Sequence, residues 1–225
     1  MKLHSQISKN KVTKTLDEFQ GEIYQRPPLR SSVKRKLRTR TIYYIDFMEM
    51  QERNVLFKVG CEAGTYIRKL CYDIGEVLGS GAHMQELRRT RAGPFTEDKT
   101  LVTLHDVSYL YSRWQETKDE NILRQFISPM EKALSLLPKI IVRDSAVDAL
   151  CHGAHLTAPG ILALDAGIKI GDTAAVYTQK GEAITLSQTV VSSEKALNMD
   201  HGFVAKTQRV MMPREIYPKK WHSKQ

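Results

Sequence analysis

Arg68 is the residue that most invites a chemical role. It closes the stretch Gly64-Thr65-Tyr66-Ile67-Arg68, which follows an apolar alternating run, Val55-Leu56-Phe57-Lys58-Val59-Gly60-Cys61. That run predicts a strand passing into a helix. Gly64 permits a tight turn, and the Thr65 hydroxyl is expected to cap the helix. Ile67, Leu70, Cys71, Ile74, Val77 and Leu78 fall at helical spacing, and Gly79 with Gly81 stops the run. Arg68 is therefore placed in the first helical turn, the end where the helix dipole disfavours a cation. A guanidinium there calls for an anionic partner, a carboxylate or a phosphate. The competing reading is a plain surface arginine, since exposure is the default for that residue type.

A second set of residues follows at close range: Gly81-Ala82-His83-Met84, then Glu86-Leu87-Arg88-Arg89-Thr90-Arg91 and Gly93-Pro94-Phe95. Together with Gly64–Arg68 this resembles the later half of the catalytic domain of a TruB/dyskerin-type pseudouridine synthase. The resemblance implies that Arg68 pairs with the catalytic aspartate and that Tyr66 and Leu87 line the uracil pocket. His83 is expected to pack or hydrogen-bond, because the family's chemistry needs no histidine base.

Upstream lies a segment of concentrated positive charge. Arg26, Arg30, Lys34, Arg35, Lys36, Arg38 and Arg40 occur with no acid among them. Such density repels itself unless something neutralises it, so the segment is either a solvated loop or a phosphate-contacting one. Pro27 and Pro28 exclude a helix interior. The run Gln25-Arg26-Pro27-Pro28-Leu29-Arg30-Ser31-Ser32-Val33-Lys34-Arg35 resembles the proline-containing motif and thumb loop of the same family, spanning about residues 21–40. The resemblance implies a loop that closes over substrate RNA and can hold an accessory protein.

The elements around these residues read as α+β. Ser8 to Gly21 predicts a short helix with Val12, Leu16 and Phe19 on one face. Thr41 to Met50 alternates like a half-buried strand, and Gln51-Glu52-Arg53-Asn54 is a hairpin turn leading back through Cys61. Leu101, Leu104, Val107 and Leu110 head a helical region, and Leu123 to Leu137 reads as a further amphipathic segment ending at Pro138. We place a domain boundary there: the resemblance implies that residues 1–137 are the later part of a synthase domain, with a mixed, mainly antiparallel sheet expected.

After Pro138 come Ile140-Ile141-Val142, a short helix from Ser145 to His152, and strands near 173–178, 184–191 and 202–210. Many short strands with glycine turns predict a small β-barrel. Gly153-Ala154-His155-Leu156, Pro159-Gly160-Ile161 and Gly167-Ile168-Lys169-Ile170-Gly171-Asp172 resemble a PUA RNA-binding domain over residues 138–213, with 214–225 as a tail. The resemblance implies that Gly153, Ala154, Leu156 and Pro159 contact RNA. The ending from Val210 to Trp221 resembles the archaeal dyskerin-type branch.

A formal net charge of +9 and a pI near 9.4 favour a polyanionic partner. No apolar run approaches the roughly 20 residues of a membrane span, and no secretory signal is read at the start. Cys61, Cys71 and Cys151 are scattered and odd in number, as for reduced thiols in a cytoplasmic protein. Cys151, His152 and His155 do not make a tetrahedral metal set, so no metal and no cofactor is expected.

The family's chemistry requires an aspartate in a Gly-x-Leu-Asp-Pro-like turn. The 225 residues contain no Asp-Pro dipeptide. Asp17, Asp46, Asp73, Asp98 and Asp165 all stand in other contexts. In relatives the motif lies upstream of the position matching Met1, so the chain is expected to be either a fragment or a natural truncation, and inactive alone. The functional expectation is a pseudouridine synthase component acting on rRNA or tRNA, directed by a box H/ACA guide RNA and assisted by small ribonucleoprotein partners. A guide-free synthase acting on tRNA and a non-catalytic RNA-binding adaptor are the alternatives.

Overall fold

A computed structural model describes residues 1–27, 34 and 36–219. The chain divides into two compact units, Met1–Arg89 and Thr90–Gln225.

The first unit contains β1 (Lys2–Leu3), α1 (Lys9–Glu18), β2 (Gly21–Gln25), β3 (Arg38–Gln51), β4 (Asn54–Cys61), α2 (Ile67–Leu78) and β5 (Ala82–His83). Its sheet runs β2-β3-β4-β1-β5 and every pairing is antiparallel. The predicted hairpin turn joins β3 to β4, with Gln51 opposite Asn54 and Glu52 in the left-handed region at φ 52°. Leu3, Val12, Leu16, Ile42, Ile45, Leu70, Ile74 and Leu78 form one buried core. Each such side chain removed from water contributes roughly 1.5–3 kcal/mol, which seats α1 and α2 on one face of the sheet. The segment expected to be a loop over 21–40 is shorter than that. Gly21–Gln25 pairs with Arg38–Ile42 as the β2–β3 ladder, because alternation in Gly21-Glu22-Ile23-Tyr24-Gln25 puts Ile23 and Gln25 on the inner face.

The second unit begins with the small hairpin of β6 (Arg91–Ala92) and β7 (Phe95–Thr96). Next come α3 (Leu104–Thr117) and α4 (Glu120–Leu123). Thr103 and Asp106 form a full capping box at the start of α3. The amphipathic segment read over 123–137 is not a continuous helix. Its apolar residues have helical spacing, but Pro129 lacks an N–H and biases Ser128 away from helical geometry. The chain instead makes a 3₁₀ turn over Met130–Leu134.

There follow β8 (Lys139–Val142), α5 (Asp144–Cys151), β9 (Leu156–Thr157), β10 (Ile161–Leu164), β11 (Thr173–Tyr177), β12 (Ala183–Thr189), α6 (Ser193–Leu197) and β13 (Phe203–Val210). The strands join in the order β10-β8-β11-β12-β13-β9. β8 and β11 are parallel. The end strands β9 and β10 are separated in sequence only by the 3₁₀ turn Ala158–Gly160, so the sheet must curl to bring its ends together. Ile140, Val142, Leu150, Val176 and Ile184 fill the interior. The tail expected from residue 214 is not wholly a tail. Tyr217 returns to the core, 9% exposed, and its hydroxyl donates to Glu182 Oε2 at 2.6 Å. Among the described residues no helix is long and apolar enough to cross a membrane.

Candidate functional site

The turn that leads into α2 is fixed from both sides. Gly64 has φ +84°, and a Cβ built there would lie 3.3 Å from Arg40 Nη2. Arg40 pairs with Glu62 at 3.5 Å, and Glu62 Oε2 accepts the Thr41 amide at 3.1 Å. The Thr65 hydroxyl does not cap the helix, as its type and place suggested. It donates to the Glu62 carbonyl at 2.7 Å, closing the turn behind it, and Tyr66 takes the N-cap position with no side-chain cap.

Tyr66 is held by a residue far away in sequence. Gln25 Oε1 accepts the Tyr66 amide at 3.0 Å, and Gln25 Nε2 donates to the Tyr66 carbonyl at 3.3 Å. Gln25 is only 2% exposed. A buried carboxamide needs partners for both ends, and here one residue's backbone supplies them. Sequence reasoning gave Gln25, Arg40 and Glu62 no part in this turn, since contacts 21 to 41 residues apart leave no local signature.

Arg68 stands at the second position of α2 and is exposed. Among the described residues it makes no ion pair. The next residue differs: Lys69 bonds Asp73 and lies 4.4 Å from the Tyr72 ring centroid. The far end of α2 is closed by Gly79 at φ 72° and by Lys11 Nζ, which donates to the Leu78 carbonyl at 3.1 Å. Gly75 then allows β5 to pass close by, since a Cβ there would lie 2.2 Å from the Ala82 nitrogen. β5 is paired with β1, and His83 Nδ1 shares a hydrogen bond with His4 Nε2 at 3.0 Å. Leu87, 53% exposed, sits on the extended stretch after β5. Tyr66 and Arg68 thus share a helical turn, and Leu87 lies beyond β5, the strand that the same helix supports.

In the basic segment Arg26, Lys34 and Lys36 are exposed. Arg38 is half-buried, and its Nη2 donates to the Lys34 carbonyl at 3.4 Å. Arg30 and Arg35 lie outside the described residues.

In the second unit, a shallow hollow of about 240 Å³ lies between α5 and β9. Ala154, Leu156 and Pro159 line it, with Ser145 and His155. Gly153, at φ +87°, releases the chain from α5 toward this hollow. Leu156 is 1% exposed and belongs to the core, so it forms the floor. His155 meets Phe203 edge-on, centroids 5.8 Å apart, and Phe203 is exposed. His152 is drawn to Asp148 on its own helix, where Nδ1 lies 2.8 Å from the Asp148 carbonyl. Burial pushes the Cys71 thiol up, and burial with the Asp148 charge does the same for Cys151. Both stay protonated and unreactive near neutral pH.

An exposed arginine opens a helix packed on an antiparallel sheet, and the second unit carries a curled six-stranded sheet with a shallow hollow, so the chain is of the α+β class. Residues 2–67 match the TruB family pseudouridylate synthase N-terminal domain, 68–135 the tRNA pseudouridylate synthase B C-terminal domain, and 138–211 the PUA domain. The probable tRNA pseudouridine synthase B of Pyrococcus horikoshii is 54% identical over 221 residues, 98% of this chain and 66% of that protein. The chain also superposes on a solved Cbf5-Nop10-Gar1 complex with a TM-score of 0.92 at 52% identity, covering 97% of this chain and 66% of the other. A solved H/ACA RNP bound to a substrate RNA containing 2'-deoxyuridine matches with a TM-score of 0.90 at 48% identity, over 98% and 66% of the two chains. The chain belongs to the TruB/Cbf5 family of pseudouridine synthases. It spans about 66% of the length of the relatives named here.

Proposed function

We propose that these 225 residues form the arginine-bearing part and the RNA-binding PUA domain of an enzyme that isomerises uridine to pseudouridine in rRNA or tRNA under the direction of a box H/ACA guide RNA. The observation that carries this reading is Arg68: exposed, without an ion pair among the described residues, and placed in the first turn of α2. A cation so placed lowers the pKa of an incoming aspartate and keeps it ionised. The carboxylate then attacks the flipped-out uridine, the glycosidic bond breaks, and the base is turned and rejoined through carbon. Tyr66 and Leu87 would line the uracil pocket. The nucleophilic aspartate is not among these residues, so the 225-residue chain alone gives no turnover.

The basic residues Arg26, Arg30, Lys34, Arg35, Lys36 and Arg38 would meet RNA phosphates. The hollow at Gly153, Ala154, Leu156 and Pro159 would receive unpaired bases of the guide beside its lower stem. One solved relative joins Cbf5 to Nop10 and Gar1, and comparable small proteins are proposed as partners here, in the cytoplasm. A second reading is a guide-free enzyme on tRNA, favoured by the name of the Pyrococcus horikoshii relative. The test is binding of the chain to a box H/ACA guide RNA and to tRNA across a salt series. Tighter binding to the guide at every salt supports the guided reading, and preference for tRNA supports the guide-free one. Binding to neither defeats both.

A further inference from the structure

We propose that Gln25 is a positioning residue for Arg68, replacing from across the sheet the acid that would ordinarily cap α2 locally. This rests on the reading of Arg68 given under Proposed function.

The first turn of α2 has no cap of its own. Its N-cap residue, Tyr66, has an extended backbone at φ −91°, ψ 100°, and no side chain caps the turn. In a capping box, a Glu or Gln three residues after the N-cap reaches back to the N-cap amide. Here that position is Lys69, which has no acceptor to offer and is itself occupied by Asp73. The first turn contains no acid at all. The Tyr66 amide would be left without a partner, yet Gln25 Oε1 accepts it at 3.0 Å. Gln25 Nε2 returns a second bond to the carbonyl of the same residue, which also accepts the Leu70 amide at 3.0 Å as the first bond of the helix. Two bonds to one residue's backbone fix its direction as well as its position. The position of the whole first turn, and so of Arg68, follows from that residue.

The arrangement has a chemical consequence that a local cap would not have. A carboxylate at position 69 would add a negative charge to the same turn as Arg68 and weaken its pull on an incoming anion. Capping by a neutral carboxamide from β2 keeps the turn ordered and leaves the guanidinium available to a carboxylate from elsewhere. Glutamine is the suitable type. Leucine has no polar atoms, asparagine is one carbon short, and glutamate would bring the neighbouring negative charge back and oppose the Tyr66 carbonyl.

Amide hydrogen exchange across Tyr66–Leu70 tests the clamp in the 225-residue chain. Gln25→Leu is expected to raise exchange at Tyr66 and the following turn by roughly tenfold, equivalent to about 1.4 kcal/mol. Gln25→Glu keeps the acceptor, and is expected to hold the Tyr66 amide within about threefold of wild type while loosening the turn after it; it covers the case in which Gln25→Leu fails to fold. Adding Lys69→Glu to Gln25→Leu rebuilds a local cap and is expected to restore protection of the Tyr66 amide in part, since the introduced carboxylate then faces Asp73 one turn on. In the enzyme that also carries the aspartate segment, the same double variant is expected to keep kcat at least roughly tenfold down, with KM little changed, because the added negative charge in the same turn weakens the pull of Arg68 on an incoming aspartate. Unchanged exchange in both single variants would overturn the clamp. Recovery of both exchange and kcat in the double variant would reduce Gln25 to a structural cap and overturn the positioning role. A wild-type enzyme without turnover would defeat the reading of function alone, with the exchange result still deciding the clamp.

Discussion

A Cβ on Gly75 would sit 2.2 Å from the backbone nitrogen of Ala82 and 2.6 Å from its Cβ. Helix α2 and strand β5 therefore touch backbone to backbone, and the stretch carrying Leu87 is placed by that contact. Gly75→Ala gains about 1 kcal/mol of helix propensity. It also forces a methyl group into backbone that no rotamer change can relieve, which typically costs about 1–3 kcal/mol or more. The overpacking wins. Urea unfolding is expected to show net destabilisation of about 1–2 kcal/mol, and an unchanged or raised midpoint would refute the packing.

Arg68 is expected to matter for chemistry and not for folding. Arg68→Ala should leave stability within about 0.5 kcal/mol, as for an exposed side chain away from such features. In the aspartate-bearing enzyme it should lower kcat by at least roughly a hundredfold, the loss expected when a desolvated charge partner goes. Arg68→Lys should recover only part, because an ammonium cannot offer the two-pronged grip of a guanidinium. Thermal melting alongside single-turnover kinetics separates the two effects.

The phenol of Tyr217 and the hydroxyl of Thr178 both donate to Glu182, and these bonds hold its carboxyl below the usual carboxylate range. A depressed native pKa stabilises above the unfolded value, and the contribution fades as pH falls through the native one. The opposite shift applies to Tyr217, whose phenol is raised chiefly by the same bond to Glu182. Its contribution is present below the unfolded phenol value and fades as pH rises through the raised one. Tyr217→Phe should lower stability at neutral pH and flatten both limbs of the stability profile. Urea midpoints from acid to alkaline pH check this, and a variant profile parallel to wild type would rule it out.

Much of this fold was legible in residue patterns. Ile67 to Leu78 declared α2 by spacing, and Gly79 declared its end. The β3–β4 hairpin followed from alternation and a polar turn. Three features were not legible, each for a physical reason. Thr65 has the right chemistry for a cap, but its hydroxyl reaches the Glu62 carbonyl first. The apolar residues from Leu123 to Leu137 have helical period, but Pro129 vetoes the helix. Gln25 looked like loop chemistry next to prolines, and only the fold brings it to Tyr66. Of the predicted site, the placement of Arg68 in a first turn was readable because it depends on local sequence alone.

Salt dependence probes the basic segment. Removing one phosphate-binding cation should make the slope of log K against log salt shallower by about 0.7–0.9. Lys36→Gln and Arg26→Gln are expected to show that change singly and about twice it together. Retained slopes in the double variant would remove these side chains from the RNA interface.

On the proposed reading, Arg68 pairs with an aspartate that lies outside these 225 residues. Tritium release from uridine-labelled RNA reads this out, with the 225-residue chain assayed alone and then with a polypeptide supplying the Leu-Asp-Pro-type turn. We predict no release from the chain alone and release when the aspartate is supplied, abolished again by Arg68→Ala. Turnover by the chain alone would overturn the proposed division of labour between Arg68 and an aspartate from outside these residues.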